Sequence, residues 1–203
     1  MAEMLRERMS AAEFARLTET TQPTELIDGA LIVSPSPMPA HQRLLREIFW
    51  VLRSTIDAGE FFLAPIDVVL DEENVVQPDL VWVGPGSRCE VGQKQLVGPP
   101  DLIVEVLSPS SALRDKTVKF MLYERRGVRE YWIADPANQY VEVWTLDADS
   151  YRRLGVFGHA DTFISLVLEA SVSLAAVFPR SSEEIGGPAA AAPSPGSNDA
   201  PGS

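Results

Sequence analysis

The sequence predicts a mixed α/β (α+β) fold, a mixed central sheet flanked by a few helices. Two observations carry this. Short β-branched and apolar runs recur between Gly, Pro and Asn turns, and two longer segments show helical periodicity in between. The strongest run, Asp101 to Leu107, is apolar almost throughout, the pattern of a central strand covered on both faces.

The elements follow in order. Ser10 followed by Glu13 forms a capping-box pattern that opens a short helix through Leu17. Glu25 to Val33 carries Asp28-Gly29 between apolar residues, the signal for a tight N-terminal β-hairpin. After the Pro-rich Ser34 to Pro39, apolar residues at Leu44, Leu45, Ile48, Phe49, Leu52 and Ile56 predict an amphipathic helix from His41 to about Asp57, with Gly59 as its stop. Phe61 to Leu70 and Val75 to Val83, joined by Asp-Glu-Glu-Asn, read as one antiparallel hairpin. The central strand then leads through Ser108-Pro109-Ser110-Ser111 into a helix that runs to Arg126 and stops at Gly127. Strands are expected at Glu130 to Ala134, Tyr140 to Leu146 and Tyr151 to Phe157. In the first of these Tyr131 and Trp132 alternate as on a half-buried strand, which makes them packing residues.

Residues 1–180 are expected to form one domain, and residues 181–203, rich in Pro, Ala, Gly and Ser, a disordered tail that offers too little apolar surface to offset its ordering entropy. No apolar run approaches the ~20 residues of a membrane span, and MAEMLRERMS lacks the apolar stretch of a secretory signal. The expected location is the cytoplasm, with no membrane partner.

The chain has one cysteine, Cys89, and two isolated histidines, His41 and His159, which excludes an internal disulfide and a Cys/His zinc cluster at the usual spacings. Cys89 reads as an incidental loop thiol. A metal, if used, is held mainly by carboxylates, which suits Mg²⁺ or Mn²⁺. The net charge is −12; the tail holds three acids and no base, so residues 1–180 still carry 26 acids against 17 bases. This acidity runs against binding of nucleic acid phosphates.

Glu105 interrupts the apolar run, and a carboxylate there requires a partner or a metal because desolvating its charge is costly. An ion pair with an arginine such as Arg114 is the structural alternative to metal ligation. Asp101 shares the face of Glu105 by the two-residue period, although following Pro99 and Pro100 it reads first as a strand initiator. Asp79 follows Pro78, which marks an edge or a bulge; it either converges with Glu105 on one cation or caps a turn. On the following helix Asp115, Lys119 and Tyr123 lie four residues apart on one face, so Lys119 either reaches a metal-bound water or stands in solvent. His41, after the Pro-rich loop, is a proton-carrier candidate or a surface residue, and Glu25 reads as a hairpin-edge acid.

The runs Glu25-Leu-Ile-Asp-Gly29, Val76-Gln-Pro-Asp-Leu80, Pro100-Asp-Leu-Ile-Val-Glu-Val-Leu-Ser-Pro-Ser110, Lys119-Phe-Met-Leu-Tyr123 and Gly127-Val-Arg-Glu-Tyr-Trp-Ile-Ala-Asp-Pro136 resemble the Uma-two family of predicted restriction endonucleases. The resemblance spans about Leu17 to Leu146. It implies the restriction-endonuclease-like fold of PD-(D/E)XK nucleases, in which Asp79 matches the PD aspartate and Glu105 the acid of the third motif. Two residues beyond Glu105, where that pattern places lysine, stands Leu107. The resemblance implies that the lysine comes from the next helix, at Lys119, with Lys116 as a nearby substitute, and that Glu25 is a further metal-side acid. It further implies a Mg²⁺- or Mn²⁺-dependent endonuclease acting on DNA as a homodimer. The alternative is a PD-(D/E)XK scaffold without turnover that binds nucleic acid or protein. The chain has no P-loop, no Gly-x-Ser-x-Gly elbow and no His-Glu-x-x-His helix, which sets aside the corresponding hydrolases.

Overall fold

In a computed structural model, residues 8–17 and 22–178 are described, and the expected tail at 181–203 lies outside them. The elements are α1 (Ala11–Phe14), β1 (Thr24–Ile27), β2 (Ala30–Val33), α2 (Pro39–Thr55), β3 (Glu60–Leu63), β4 (Val68–Asp71), β5 (Asn74–Val76), β6 (Leu80–Val83), β7 (Glu90–Val91), β8 (Leu96–Val97) and β9 (Leu102–Val106). A helix follows in three parts: α3 (Ala112–Arg114), a π-turn (Asp115–Lys119) and α4 (Phe120–Arg126). β10 (Glu130–Asp135), β11 (Tyr140–Asp147), β12 (Ser150–Gly158), β13 (Thr162–Ser165) and β14 (Ala170–Ser173) complete the described chain.

Two six-stranded sheets result. The central one has the order β12-β11-β10-β9-β6-β3 and the other β2-β1-β5-β4-β8-β7, while β13 and β14 pair separately. β9 and β10 are parallel, so the chain must cross over between them, and the three-part helix makes that crossover. All five residues of β9 are buried, as its apolar run predicts. Leu102, Val104 and Val106 face one core with Leu44, Ile48 and Leu52 of α2; Ile103 and Leu107 face the other with Leu122 and Tyr123 of α4. Glu105 belongs by parity to the α4 side.

Three of the predicted cap and turn signals are realised locally, although α1 ends at Phe14 and not at Leu17. Ser10 and Glu13 cap α1 reciprocally. Asp28 and Gly29 both take positive φ, 46° and 72°, which the two-residue turn between β1 and β2 requires. Gly127 closes α4 in the left-handed region at φ 80°.

Several expectations are corrected. The single hairpin over 61–83 is divided between the sheets: β3 pairs with β6 in the central one, β4 with β5 in the other. Two proline-containing linkers, 64–67 and 77–79, carry the chain across. Pro78 therefore marks a passage between sheets and neither an edge nor a bulge. Helix α2 ends at Ile56, and Gly59 (φ 76°) turns the chain into β3 instead. Tyr131 and Trp132 are fully buried, because α4 covers one face of β10 and the β13–β14 segment the other. Cys89 lies in a bend before β7 as expected, yet it is buried, and burial followed by the charge of Asp101 pushes its thiol up to about 11. β7, β8, β13 and β14 are strands the periodicity did not predict.

The helix break was also unforeseen. Thr117 Oγ1 donates to Leu113 O at 2.6 Å within this break. The turn widens to π geometry, and Tyr131 Oη donates to the Asp115 carbonyl at 3.1 Å. Gly127→Ala is expected to cost about 1–2 kcal/mol, since any side chain is strained in the left-handed region. Urea denaturation measures this, and an unchanged midpoint would show that the helix end does not depend on that geometry.

Candidate functional site

The antiparallel register of β6 on β9 sets Leu80 opposite Val104, so Asp79, one residue earlier, falls beside Glu105, one residue later. Asp79 Oδ2 accepts from Val106 N at 2.7 Å and lies 3.0 Å from His41 Nε2. A carboxylate only accepts, so the proton of that second bond belongs to His41 Nε2, and Nδ1 is a buried atom without a partner. His41 enters because α2 starts at Pro39, at the end of the Pro-rich loop, which brings its first turn over the 77–79 linker.

Lys119 Nζ donates to Glu105 Oε1 and reaches Glu25 Oε1, each at 2.8 Å, and lies 3.9 Å from Asp115 Oδ1. Tyr123 Oη donates to the same Glu105 oxygen at 2.7 Å. Glu25 is held by Gln77 N at 2.9 Å. Lys119, Glu25, Glu105 and Asp115 have side chains at most 5% exposed, whereas Asp79 is 17% exposed and faces the opening. These residues form the floor of a cleft of about 1150 Å³ whose rim includes the Pro35–Met38 and Ser108–Ser111 loops, Lys94 and Arg114.

The floor is short of positive charge. Three carboxylates, Glu25, Glu105 and Asp115, surround one lysine, and Asp79 lies beside Glu105. Burial pushes the Glu105 carboxyl up; Lys119 pulls it back, and Asp115, Asp79 and Glu25 push it further, to about 8. Burial likewise raises Asp115, against the pull of Lys119. Burial works to discharge Lys119, but Glu105, Glu25 and Asp115 outweigh it and hold the ammonium charged well above the ordinary lysine range. Burial, followed by Glu105 and Glu25, holds Tyr123 as the phenol, a hydrogen-bond donor.

Of the residues expected at the site, Glu25, His41, Asp79, Glu105, Lys119 and Tyr123 are brought together. Lys116 and Asp101 are not. Lys116 donates to Tyr140 Oη at 2.9 Å and packs over that ring, because the π-turn directs it to the far side from Glu105. Asp101, at the start of β9, accepts from Gly84 N at 2.9 Å and Arg129 Nη1 at 3.1 Å, and is roughly 13 Å of extended strand from Glu105. Arg114 is not the partner of Glu105 either; it donates to Ser34 Oγ at 2.9 Å. Asp115 and Gln77 are members of the site that the sequence reading did not assign to it. The four-residue spacing before Lys119 signals the first, and nothing local signals the second.

The donors fit a hard divalent cation. They are carboxylate oxygens in excess of the available positive charge, and Asp115 Oδ1 is a buried acceptor without a hydrogen-bond partner. Among the described residues no group of three or more His, Cys, Asp or Glu side chains is already gathered as a metal centre, so a cation on Asp79 and Glu105 would draw on water for its shell.

Lys119→Met is expected to destabilise the fold by about 3–5 kcal/mol, because it leaves Glu25, Glu105 and Asp115 buried without their counter-charge. Urea denaturation at neutral pH reads this, and a loss under about 1 kcal/mol would show that the network is wet and not structural.

A crystal structure described as a putative nuclease belonging to DUF820, from Anabaena variabilis, shares the fold at a TM-score of 0.69 and 23% identity, over 84% of this chain and 97% of that one. An uncharacterised protein of Synechocystis, sll1609, is 27% identical over 132 residues, 63% of this chain and 75% of its own length. The sequence model of Uma2, described as "Putative restriction endonuclease", matches residues 11–177, which covers the whole cleft, and the chain belongs to that family.

Proposed function

We propose that the chain is a Mg²⁺- or Mn²⁺-dependent endonuclease that hydrolyses DNA phosphodiester bonds. The observation that supports this most is the meeting of Asp79, Glu105 and a helix-borne Lys119 at one cleft floor, although Lys119 lies 14 residues beyond Glu105. In this reading Asp79 and Glu105 hold the cation. When bound, it supplies Lewis acidity toward water and the phosphoryl oxygens.

The chain's own groups supply the rest. Val106 N and His41 fix the Asp79 carboxylate, so its free oxygen needs no reorganisation to ligate. Lys119, held protonated, is a hydrogen-bond donor and not a base: it orients the attacking water and offsets charge on the phosphate. Glu25 and Asp115 keep it charged and aimed. Tyr123 restricts Glu105 from the side opposite the cleft.

A second reading is favoured by one specific observation. Asp79 and Glu105 already have protein partners, so the network also suits a scaffold without turnover that binds nucleic acid or protein. The homodimeric state and the cytoplasmic location expected from the sequence belong to this proposal. Among the described residues, no helix is long and apolar enough to cross a membrane.

Titration calorimetry of Mn²⁺ and Mg²⁺, with plasmid nicking on the same samples, tests the reading on the wild type and on Asp79→Ala and Glu105→Ala. Loss of metal binding together with a drop in nicking of at least about 100-fold is expected. Nicking that survives Glu105→Ala would sink the assignment, and metal binding without nicking in the wild type would favour the scaffold. Light scattering on the same protein reads the dimer.

A further inference from the structure

The outer face of α2 is a basic patch on this acidic chain. Arg43, Arg46, Trp50 and Arg53 are exposed and recur at intervals of three, four and three, which places them in one narrow stripe about 15 Å long. The helix carries three arginines against one glutamate in a chain of net charge −12. That glutamate, Glu47, is half-buried and already engaged by Arg46. Arg43 makes no hydrogen bond or ion pair among the described residues, and Arg53 reaches only the carbonyl of Ile56 at 3.2 Å.

Trp50 is 69% exposed, the most exposed aromatic side chain among the described residues. The other tryptophans are enclosed or partly enclosed: Trp82 and Trp132 in the core and Trp144 beneath Arg153. Among the described residues, none pairs with the indole of Trp50. The stripe starts at the same end of α2 as His41, whose ring reaches the cleft floor, but on the opposite, solvent face of the helix, so a strand lying on it would pass over the first turn of α2 to reach the cleft.

We propose that this stripe docks the strand of a single-stranded DNA segment that enters the cleft, the arginines pairing with successive phosphates and Trp50 stacking on an unpaired base. Charge complementarity identifies the occupant: the arginines gather on one face while the chain as a whole repels polyanions. The free indole selects an unpaired strand, because a base inside a duplex has no open face to offer. The depth of the carboxylates, nearly closed to solvent, suits a flexible strand for the same reason. This inference rests on the nuclease reading for its substrate but not for its readout.

The test is fluorescence anisotropy of a labelled single-stranded oligodeoxynucleotide, recorded in EDTA so that no turnover occurs, with a duplex and poly-glutamate as further probes. The triple variant R43A/R46A/R53A is expected to weaken single-strand binding at least tenfold. The slope of log K against log salt should fall by about two, at ~0.7 per lost phosphate contact. Trp50→Ala should weaken binding several-fold and leave the slope in place, and R43K/R46K/R53K should retain it. Wild-type tryptophan emission should be quenched by the oligonucleotide and that of Trp50→Phe should not. Equal binding by wild type and the alanine triple variant overturns the proposal. Tighter binding of the duplex overturns the choice of strand, and displacement of the oligonucleotide by poly-glutamate at equal charge assigns the stripe to an acidic protein. Binding of the oligonucleotide through the stripe together with failure of both Mn²⁺-dependent plasmid nicking and oligonucleotide cleavage overturns the nuclease reading alone.

Discussion

Lys119 is the point at which three separately formed elements meet. Glu25 arrives on β1 of the outer sheet, Glu105 on β9 of the central sheet, and Asp115 on the helix turn that carries Lys119 itself. A buried ammonium is costly to desolvate, and so is each buried carboxylate, so none of these positions is tolerable until the others are in place. The network thereby makes the packing of both sheets and the crossover helix conditional on one register. Hydrophobic contacts on either side of β9 would tolerate small slips; the charges do not.

The same network leaves an imbalance. Burial first, and then the neighbouring acids against the pull of Lys119, push the Glu105 carboxyl up to about 8, and burial raises Asp115 in the same direction. Groups displaced this far by burial and by like charges accumulate where chemistry or ligand binding repays the strain, and less often in purely structural ion pairs. The π-turn belongs to the same economy. It carries Asp115 and Lys119 on its buried side and Lys116 on the side of Tyr140.

Much of the architecture was legible along the chain. The β1–β2 turn, α2, β9 and the stop at Gly127 each depend on residues within a few positions: a left-handed Asp-Gly pair, a 3.6-residue apolar period, a continuous apolar run, a glycine at positive φ. The division of 61–83 between two sheets was not legible, because Phe61 to Val83 has the alternation and turn of an ordinary hairpin. Only the presence of β9 beside β6, and of β1 beside β5, decides which strand pairs where. Asp101 shows the limit of the two-residue period: it shares parity with Glu105 but sits at the opposite end of the strand, against Gly84 and Arg129.

By itself, then, the sequence determined the elements and the chemical types at the site: a carboxylate set in an apolar strand, an acid after Pro78, a lysine on the following helix face. These are local consequences of spacing, backbone preference and the cost of burying charge. The tertiary structure alone decided the partners. Glu25 and Gln77 come from 94 and 42 residues before Lys119, Arg114 was withdrawn to Ser34, Lys116 to Tyr140, and His41 was brought onto Asp79. Such contacts depend on sheet order and helix placement, which are set by the burial of both faces of β9 at once and are not encoded in any one stretch of chain.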